Sequence, residues 1–332
     1  MTTGTVAGPV VLAIDGGGSK TDVLAIGLDG EVVARERGRG GNPQVNGWPA
    51  VRAELDRLRT AVLEAIGDRP VLTQHLYLAG LDLPEELEAA ALRLAEWSAL
   101  APLHAENDLF ALLRAGTAAK DAVAVVCGTG INAIGVRADG ATARFPALGA
   151  ISGDWGGGSS IGAAALWHAI RAEDGRGPET SLRQAVDAAF GLGSVRAAVE
   201  AVHFERVSRD AVIELTPLLF AEAEAGDTVA CSVVDRQAEE IVRLAEVLLQ
   251  RLDLQGTALP VVLGGSVLAA REPRLVAGVL AGLAARAPRA VPTWVTERPV
   301  VGAALLALEA VGASQEALDR VVTAVTEDRI AR

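Results

Sequence analysis

The segment IDGGGSKTDV, residues 14–23, contains residue types that bind phosphate: adjacent glycines, a serine, a lysine and a threonine. A Walker loop requires G-x-x-x-x-G-K-[ST] between a strand and a helix, so that amides at the helix start surround the phosphates. Here Ser19 precedes Lys20, and the following residues alternate as in a strand until Asp29-Gly30, a strong hairpin signal. The sequence therefore predicts a strand, a glycine turn and a second strand, which fits neither a Walker loop nor a dinucleotide fold.

A glycine hairpin can still bind phosphate, because its backbone amides approach an anion that a side chain would keep away. The alternative is an ordinary glycine turn, which this segment taken alone slightly favours. A second segment of the same kind, VCGTGINAIGVRADGATA, begins at Val126. Its glycines give only a weak dinucleotide pattern, because a strand follows where that motif needs a helix. The repetition predicts two copies of one fold half, whose hairpins could hold a polyphosphate between them.

Two further glycine-rich segments are candidates for binding. Residues 149–162, GAISGDWGGGSSIG, contain a single carboxylate, Asp154, and are predicted as a loop because they are too rich in glycine for a core element. The segment LPVVLGGSVL predicts a buried strand followed by a turn at residues 264–266. Such a turn lets a nucleotide approach the backbone closely.

Strands that alternate with helices along the chain predict α/β layers that position these turns. Strands are predicted at residues 75–83, around Leu103, at both ends of each glycine turn, and before the last helical segments. Helices are predicted at residues 49–66, 84–100, 108–116, 227–252 and, at the C-terminus, 314–329. Pro84 stands in the first turn of its helix, where proline is favoured.

Composition limits the possible functions. The chain has 332 residues, half of them hydrophobic, which is enough for two domains with substantial cores. The net charge of −12 offers no electrostatic footprint for nucleic acid or an anionic membrane. The N-terminus lacks a signal peptide and no apolar run reaches the length of a membrane span, so we expect a soluble, cytoplasmic protein. Cys127 and Cys231 are too few for a disulfide framework and form no metal-ligand pattern.

Eight motifs together resemble one family. In order they are IDGGGSKT, GGNP, LAGLD, END, CGTGIN, the glycine loop with Gly153-Asp154, VVLGGSV and PVVGAALLAL. The set is similar to the N-acetylglucosamine kinase and dehydratase-activator (BadF/BadG-type) ATPase branch of the actin-like sugar kinase superfamily, and it spans nearly the whole chain. The resemblance implies an α/β fold, a two-domain actin-like ATPase of the duplicated ribonuclease H-like type with an interdomain cleft. The expected domains are residues 1–113 with 313–332, and residues 114–312.

The resemblance implies ATP and Mg²⁺ as cofactors, with one hairpin from each domain holding the phosphates. Asp15 resembles the carboxylate that orients Mg²⁺ through water, although it could instead cap the turn. Lys20 could approach the phosphates or be a solvated strand lysine. The implied nucleotide contacts are Gly16, Gly17, Gly18 and Ser19 in the first turn, Gly128, Thr129 and Gly130 in the second, and Gly264, Gly265 and Ser266 beside the adenosine.

Asp108 matches the family's catalytic base, which accepts the proton of the sugar hydroxyl as it attacks the γ-phosphate. The alternative is that Asn107 or Asp108 merely caps the helix DLFALLRAG.

Asn42 and Asp154 match positions that bind sugar hydroxyls, since an amide and a carboxylate can together donate and accept hydrogen bonds. Their alternatives are a loop asparagine before a proline and a solvated turn aspartate. Relatives often have Asp-Glu-Gly where this chain has Asp154-Trp155-Gly156, which puts the identity of the sugar in doubt. The other substrate contacts that the resemblance implies are Asn107, Asp108, Thr129 and Gly149.

The implied activity is that of an ATP-dependent sugar kinase, a phosphotransferase with an alcohol group as acceptor. N-acetylglucosamine is the expected substrate, phosphorylated at its 6-hydroxyl, with glucosamine or another hexose as alternatives, and a homodimer is expected. A dehydratase activator would need thiolates that hold an iron–sulfur cluster between subunits, and Cys127 and Cys231 are unsuited to this. A non-catalytic sugar sensor is a third alternative, against which the presence of Asp15 and Asp108 argues.

Overall fold

The computed structural model of the protein describes residues 8–327. The chain divides into two units, each with its own internal contacts. The first contains the residues up to Ala119 together with those from Val295 onward, and the second contains Lys120–Trp294.

The first unit is built on a five-stranded sheet with the order β3-β2-β1-β4-β5. The first three strands are antiparallel neighbours, whereas β1, β4 and β5 run parallel. The strands are β1 (Val10–Gly16), β2 (Lys20–Gly27), β3 (Val32–Arg39), β4 (Val71–Leu78) and β5 (Leu103–Asn107). The predicted strand of residues 75–83 is displaced, because β4 begins earlier, at Val71, and ends at Leu78. The motif LAGLD therefore leaves the sheet after its first residue.

Four helices connect these strands. They are α1 (Pro43–Asn46), α2 (Trp48–Ile66), α3 (Pro84–Arg93) and α4 (Asp108–Gly116). The helix predicted over residues 84–100 is interrupted at Leu94 and continues as a 3-10 helix at Ala95–Ala99. Trp97 is buried there, and its indole Nε1 donates a hydrogen bond to Asp56 of α2 at 2.9 Å.

The second unit has a five-stranded sheet with the order β10-β9-β6-β7-β8. Here β6 pairs antiparallel with β7 and parallel with β9. The strands are β6 (Ala122–Cys127), β7 (Ile131–Val136), β8 (Thr142–Arg144), β9 (Leu259–Gly264) and β10 (Ala290–Trp294). In sequence order β6 to β10 therefore occupy the positions that β1 to β5 occupy in the first sheet. This identical order confirms the predicted duplication.

Helices of the second unit fill the long segment between β8 and β9 and the connection to β10. They are α5 (Gly157–Glu173), α6 (Leu182–Phe190), α7 (Val195–His203), α8 (Asp210–Ile213), α9 (Leu215–Glu224), α10 (Thr228–Arg251), α11 (Ser266–Ala269) and α12 (Pro273–Arg286). The sequence predicted α10 closely, but it gave no assignment for residues 163–226, which form most of α5 and all of α6 to α9.

The chain then returns to the first unit through α13 (Pro299–Ala310) and α14 (Gln315–Glu327). The contacts divide the chain near residues 119 and 295, whereas the predicted boundaries lie near 113 and 313, and α13 packs against the first sheet and against α4. At Gly302 an added Cβ would lie 1.8 Å from the carbonyl oxygen of Ala111, so glycine is needed for this close approach. The predicted C-terminal helix corresponds to α14, and its last two predicted residues, 328 and 329, lie outside the described part.

All seven residues of β1 are buried because helices cover both faces of the first sheet. Alternate side chains of a strand point to opposite faces. Val10, Leu12 and Ile14 pack in the core that contains α2, while Val11 and Ala13 pack in the core that contains α13 and α14. This explains why the sequence before Asp15 is uniformly apolar.

The sequence predicted that the glycine-rich segment 149–162 is a loop, but part of it is helical. It contains a 3-10 helix at Gly149–Ser152, and α5 begins at Gly157 with Gly157, Gly158 and Gly162 buried. An added Cβ at Gly162 would lie 2.0 Å from the carbonyl oxygen of Val212. Glycine is therefore present because α5 packs closely against α8. Within residues 8–327, no helix combines the length and apolarity needed to cross a membrane.

Candidate active site

The carboxyl ends of three parallel strands bring the polar motifs of the first unit together. Gly16 of β1 lies opposite Leu78 of β4, and Leu78 lies opposite Asn107 of β5. The residues that follow these positions therefore emerge side by side at one edge of the sheet. In open α/β sheets this edge is where ligands bind.

The first glycine hairpin joins β1 to β2. The Gly17 amide donates to the carbonyl oxygen of Lys20 at 2.9 Å, and the Gly41 amide donates to the carbonyl oxygen of Gly17 at 2.9 Å. Neither Gly17 nor Gly18 has a positive φ, and an added Cβ at Gly18 would meet nothing within 4 Å. Neither backbone conformation nor packing requires glycine at position 18. Glycine there fits a turn whose amides must stay accessible to an anion, as predicted for Gly16, Gly17, Gly18 and Ser19.

Asp15 is a buried carboxylate at the end of β1, with 5% of its surface exposed. Burial raises the pKa of the Asp15 carboxyl well above its usual range, the carboxylates of Asp108 and Asp22 raise it further, and Lys20 and Arg298 oppose the shift. Asp22 is itself paired with Arg37, at 2.7 and 3.0 Å. Asp15 therefore lies within electrostatic range of a second carboxylate, Asp108, and of two cations, Lys20 and Arg298.

This environment fits Mg²⁺, which prefers oxygen ligands and would favour the ionised form of Asp15. Asp15 would be the protein residue that holds the ion. No group of three or more Asp, Glu, His or Cys side chains within residues 8–327 is arranged to hold a metal. Lys20 acts on the same carboxylate, which places its charge near the predicted phosphate turn.

The structure distinguishes Asn107 from Asp108. Asn107 is the residue that caps α4, because its Oδ1 accepts from the amide of Leu109 at 3.0 Å, and its side chain is 1% exposed. Its Nδ2 donates to Oδ1 of Asp82 at 3.0 Å. Asp108 is the first residue of α4 and is half-buried. The capping role therefore belongs to Asn107, and the Asp108 carboxylate lies near Asp15 instead.

Asn42 also caps a helix. Its Oδ1 accepts from the amide of Gln44 at 2.8 Å, at the start of α1. Its Nδ2 forms no hydrogen bond with residues 8–327. Asn42 therefore offers a ligand its Nδ2 as a donor. Gly80, with φ +77°, approaches so closely that an added Cβ would lie 2.3 Å from Oδ1 of Asn42.

In the second unit, the predicted phosphate turn is tied to the first turn of α5. The Gly128 amide donates to the carbonyl oxygen of Gly130 at 2.9 Å. The amides of Gly158 and Ser159 donate to the carbonyl oxygens of Gly128 and Thr129, at 2.8 and 2.9 Å. The Gly157 amide donates to Oε1 of the buried Gln237 of α10 at 2.9 Å. The sequence analysis did not predict that the start of α5 and Gln237 hold this turn, although the glycine run 156–158 could have indicated a close backbone approach there.

A cavity of about 560 Å³ lies beside this turn, within the second unit. Its size is typical of a small-molecule or cofactor site. Ser266, predicted to lie beside the adenosine, lines this cavity together with Gly128 and Thr129. The backbone at Gly265 (φ +94°) approaches Cys127 so closely that an added Cβ would lie 2.4 Å from its carbonyl carbon. Its apolar wall includes Ile213, Pro217, Phe220, Val267 and Pro273. Sequence reasoning missed the contribution of α9.

The second predicted sugar loop is held by its own hydrogen bonds. Ser152 Oγ donates to Asp154, and the Asp154 amide donates to the carbonyl oxygen of Gly149 at 3.1 Å. Trp155, which follows Asp154, packs against the core, with the guanidinium of Arg236 4.0 Å from its ring centre. Arg236 also pairs with Glu240, at 3.7 Å.

The cysteines are placed as structural residues. Burial raises the pKa of the Cys127 thiol to about 12, although a hydrogen bond with the Gly157 backbone lowers it. Cys231 is half-buried, and its Sγ donates to the carbonyl oxygen of Ala223 at 3.4 Å. Metal and cluster ligation needs the thiolate form, which the environment of Cys127 disfavours.

Known proteins support the same fold. A sequence model described as the BadF/BadG/BcrA/BcrD ATPase family matches residues 12–307. The chain is 27% identical to the N-acetyl-D-glucosamine kinase of Dictyostelium discoideum over 319 residues, which cover 90% of this chain and 98% of that protein. It is 24% identical to the N-acetylmuramic acid/N-acetylglucosamine kinase of Clostridium acetobutylicum over 264 residues, 78% of this chain and 85% of the relative.

Among solved structures, a provisionally assigned N-acetylglucosamine kinase from Chromobacterium violaceum matches with a TM-score of 0.68. The two chains are 22% identical, and the match covers 90% of this chain and 98% of the other. This likeness, together with the duplicated sheets, confirms the two-domain actin-like fold.

Proposed function

This chain belongs to the BadF/BadG/BcrA/BcrD ATPase family, and from this premise we propose that it is an ATP-dependent amino-sugar kinase. We further propose that it transfers the γ-phosphoryl group to the 6-hydroxyl of N-acetylglucosamine, which gives N-acetylglucosamine 6-phosphate and ADP. Similarity to two relatives named as kinases of this sugar supports the choice of substrate.

The observation that carries the proposal is the position of Asp108. Asn107 caps α4, so the Asp108 carboxylate is not needed for capping, and it lies near the buried Asp15 at the carboxyl edge of the sheet. A half-buried carboxylate beside a glycine hairpin suits a general base in phosphoryl transfer.

The proposed reaction forms one bond and breaks another. As Asp108 accepts the proton of the sugar hydroxyl, the hydroxyl oxygen bonds to the γ-phosphorus, and the bond from that phosphorus to the β,γ-bridging oxygen breaks. ADP then leaves. The amides of the first hairpin, at residues 16–19, and of the second, at residues 128–130, bind the phosphates. Positioning and electrostatic stabilisation provide most of the catalysis in such transfers.

Mg²⁺ would neutralise charge on the phosphate oxygens when bound. Asp15 would orient it, and Lys20 adds positive charge at the same place. The cavity beside Ser266 would take the nucleoside, with its apolar wall against the base. For the sugar, Asn42 Nδ2 would donate to one hydroxyl and Asp154 would accept from another.

The test is ADP release in a coupled assay with N-acetylglucosamine, glucosamine, N-acetylmannosamine and glucose as acceptors. We expect the highest kcat/KM for N-acetylglucosamine, and NMR of the product should show the phosphate on the 6-hydroxyl. ADP release that does not depend on any sugar would contradict it. Sedimentation of the same sample would test the predicted homodimer.

N-acetylmuramic acid is a second candidate acceptor, which the name of the Clostridium relative suggests for this chain. The observation that favours it is Arg236, a cation stacked on Trp155 next to Asp154. Arginine pairs readily with a carboxylate such as the one on the lactyl group of this sugar. If Arg236 binds that group, Arg236→Gln lowers kcat/KM for N-acetylmuramic acid and leaves that for N-acetylglucosamine unchanged.

A further inference from the structure

A chain of hydrogen bonds through Asp82 links two loops at the carboxyl edge of the first sheet. Asp82 follows β4 and is half-buried. Its Oδ1 accepts from Asn107 Nδ2 at 3.0 Å, and its Oδ2 accepts from Gln44 Nε2 at 3.2 Å. One carboxylate thus connects the segment that precedes α4 with the segment that contains Asn42.

Gln44 ties Asp82 to the predicted sugar loop. Its backbone amide is the donor to Asn42 Oδ1, and its Nε2 also donates to Oε1 of Glu86 at 2.8 Å. Glu86 Oε2 accepts from the amides of Asp82 and Leu83 at 2.8 and 2.9 Å. The backbone at Asp82 is therefore fixed independently of its own side chain.

Asn107 ties Asp82 to the proposed base. Its Oδ1 caps α4 and its Nδ2 binds Asp82, so Asp82 determines which way round the amide lies. A cap in the wrong orientation would turn its Nδ2 towards the amide of Leu109 and lose the capping hydrogen bond. Asp108 follows directly, so its backbone is positioned by the same cap.

We propose that Asp82 is a positioning residue that couples the loop of Asn42 to the catalytic base Asp108. The inference rests on the proposed function, in which Asn42 binds the sugar and Asp108 takes its proton. Only an ionised carboxylate accepts from two amide groups without donating. A neutral amide at position 82 has one acceptor and one donor group, so it would present its donor to the side-chain donor of either Asn107 or Gln44. Small displacements of a catalytic group can reduce the rate of a transfer about 100-fold.

Three variants test this coupling: Asp82→Asn, Asn107→Asp and the two together. Asn107→Asp keeps an acceptor for the Leu109 amide but sets two carboxylates against each other. The double variant exchanges donor and acceptor, so the new amide can donate to the new carboxylate while still accepting from Gln44. We expect each single change to lower kcat about 10- to 100-fold, and the double variant to recover to within about 5-fold of wild type.

A loss of kcat with an unchanged KM for ATP would distinguish a positioning role of Asp82 from general damage to the fold. We expect KM for ATP to change less than about 3-fold in all three variants, because neither Asp82 nor Asn107 is among the proposed contacts of the nucleotide. Asp56→Asn is the matched control, since the Asp56 carboxylate also accepts from two side chains, Trp97 and Arg52. It should lower the melting temperature and leave kcat unchanged.

The experiment distinguishes a failure of the role proposed for Asp82 from a failure of the proposed kinase activity. An active wild type whose single variants keep kcat, or whose double variant is no better than the singles, would overturn the role of Asp82 alone. A wild type that phosphorylates no sugar would overturn the proposed function and the role of Asp82 with it.

Discussion

The two halves of the chain repeat one sheet but place different chemistry at its carboxyl edge. In the first unit, Asp15 is the penultimate residue of β1 and Asp108 follows β5. In the second, the residue at the end of the corresponding strand β6 is Cys127, and β9 is followed by Gly265 and Ser266 beside an apolar cavity. One copy carries the carboxylates and the other a nucleoside-sized cavity.

The two glycine hairpins also differ in what supports them. The first is backed by the Gly40-Gly41 loop, where an added Cβ at Gly40 would lie 2.2 Å from the carbonyl oxygen of Gly18. The second is held by amides at the start of α5. The two units therefore share the glycine turn but differ in the residues around it. The repeated turn provides backbone amides for a ligand, and the neighbouring residues determine the chemistry. Four changes test this contrast.

The largest effect is expected from the base. Asp108→Asn should lower kcat by about 10²- to 10⁴-fold, the range for loss of a general base. Folding should be nearly intact because Asn107 remains the cap of α4. Turnover is measured beside nucleotide affinity and melting temperature. Turnover close to wild type would remove Asp108 from the chemistry of the first unit.

Asp15→Asn should lower kcat about 10²- to 10³-fold, comparable with the loss of other electrostatic groups, and should raise the melting temperature at pH 8 without Mg²⁺. The folded-state pKa of Asp15 is raised, so its stabilising contribution is complete below the unfolded value of about 3.9 and is lost as pH rises through the folded pKa. Above that pKa the ionised carboxylate destabilises the fold, and the asparagine does not.

Thermal unfolding from pH 4 to pH 8 checks this sign. The difference between Asp15→Asn and wild type should be near zero at pH 4 and grow towards pH 8. Mg²⁺ should stabilise the wild type and not the variant. A variant that is less stable than wild type at pH 8 would contradict the electrostatic account of Asp15.

Alanine substitutions at Gly18 and Gly265 distinguish a glycine that a bound phosphate needs from a glycine that folding needs. Gly18→Ala should fold normally, because its Cβ meets nothing within 4 Å, and should raise KM for ATP about 10-fold if phosphate approaches there. Gly265→Ala should cost roughly 1–2 kcal/mol or more of stability, because φ is +94° and the Cβ would contact Cys127. Unchanged KM in Gly18→Ala would make the first turn an ordinary one.

The smallest effect concerns the thiols. Native protein should contain no stoichiometric iron after anaerobic purification, and thiol labelling at pH 8 should proceed at Cys231 before Cys127, whose pKa is raised to about 12 by burial. Mass spectrometry of the labelled protein identifies the site. Cluster absorbance with bound iron would favour the dehydratase-activator alternative.

Local pattern was sufficient for much of the fold. The alternation after Ser19, the two Asp-Gly turns and the repeat at Val126 depend on residues close in sequence, and they predicted the hairpins and the duplication. The structure adds that helices cover both faces of β1, which accounts for its uniformly apolar sequence. The roles proposed for Asp15 and Asp108 came from the family's motifs, and the structure provides the surroundings that suit them.

Contacts between distant segments could not be read in this way. That Asn107 rather than Asp108 caps α4 depends on side-chain orientation, and the partner that fixes it, Asp82, follows a different strand. The wall of the cavity comes from α9, in a segment that the sequence left unassigned.

The amino-acid sequence by itself determined where strands turn and which motifs stand at their ends, because hydrophobic periodicity and glycine turns act over a few residues. Tertiary structure alone decided that α13 belongs to the first unit and that the buried glycines of α5 belong to a helix. It also made Asp82 a link between two loops. The reason is physical: strand order and close helix packing decide which distant atoms meet, and only those meetings set burial, hydrogen bonding and charge.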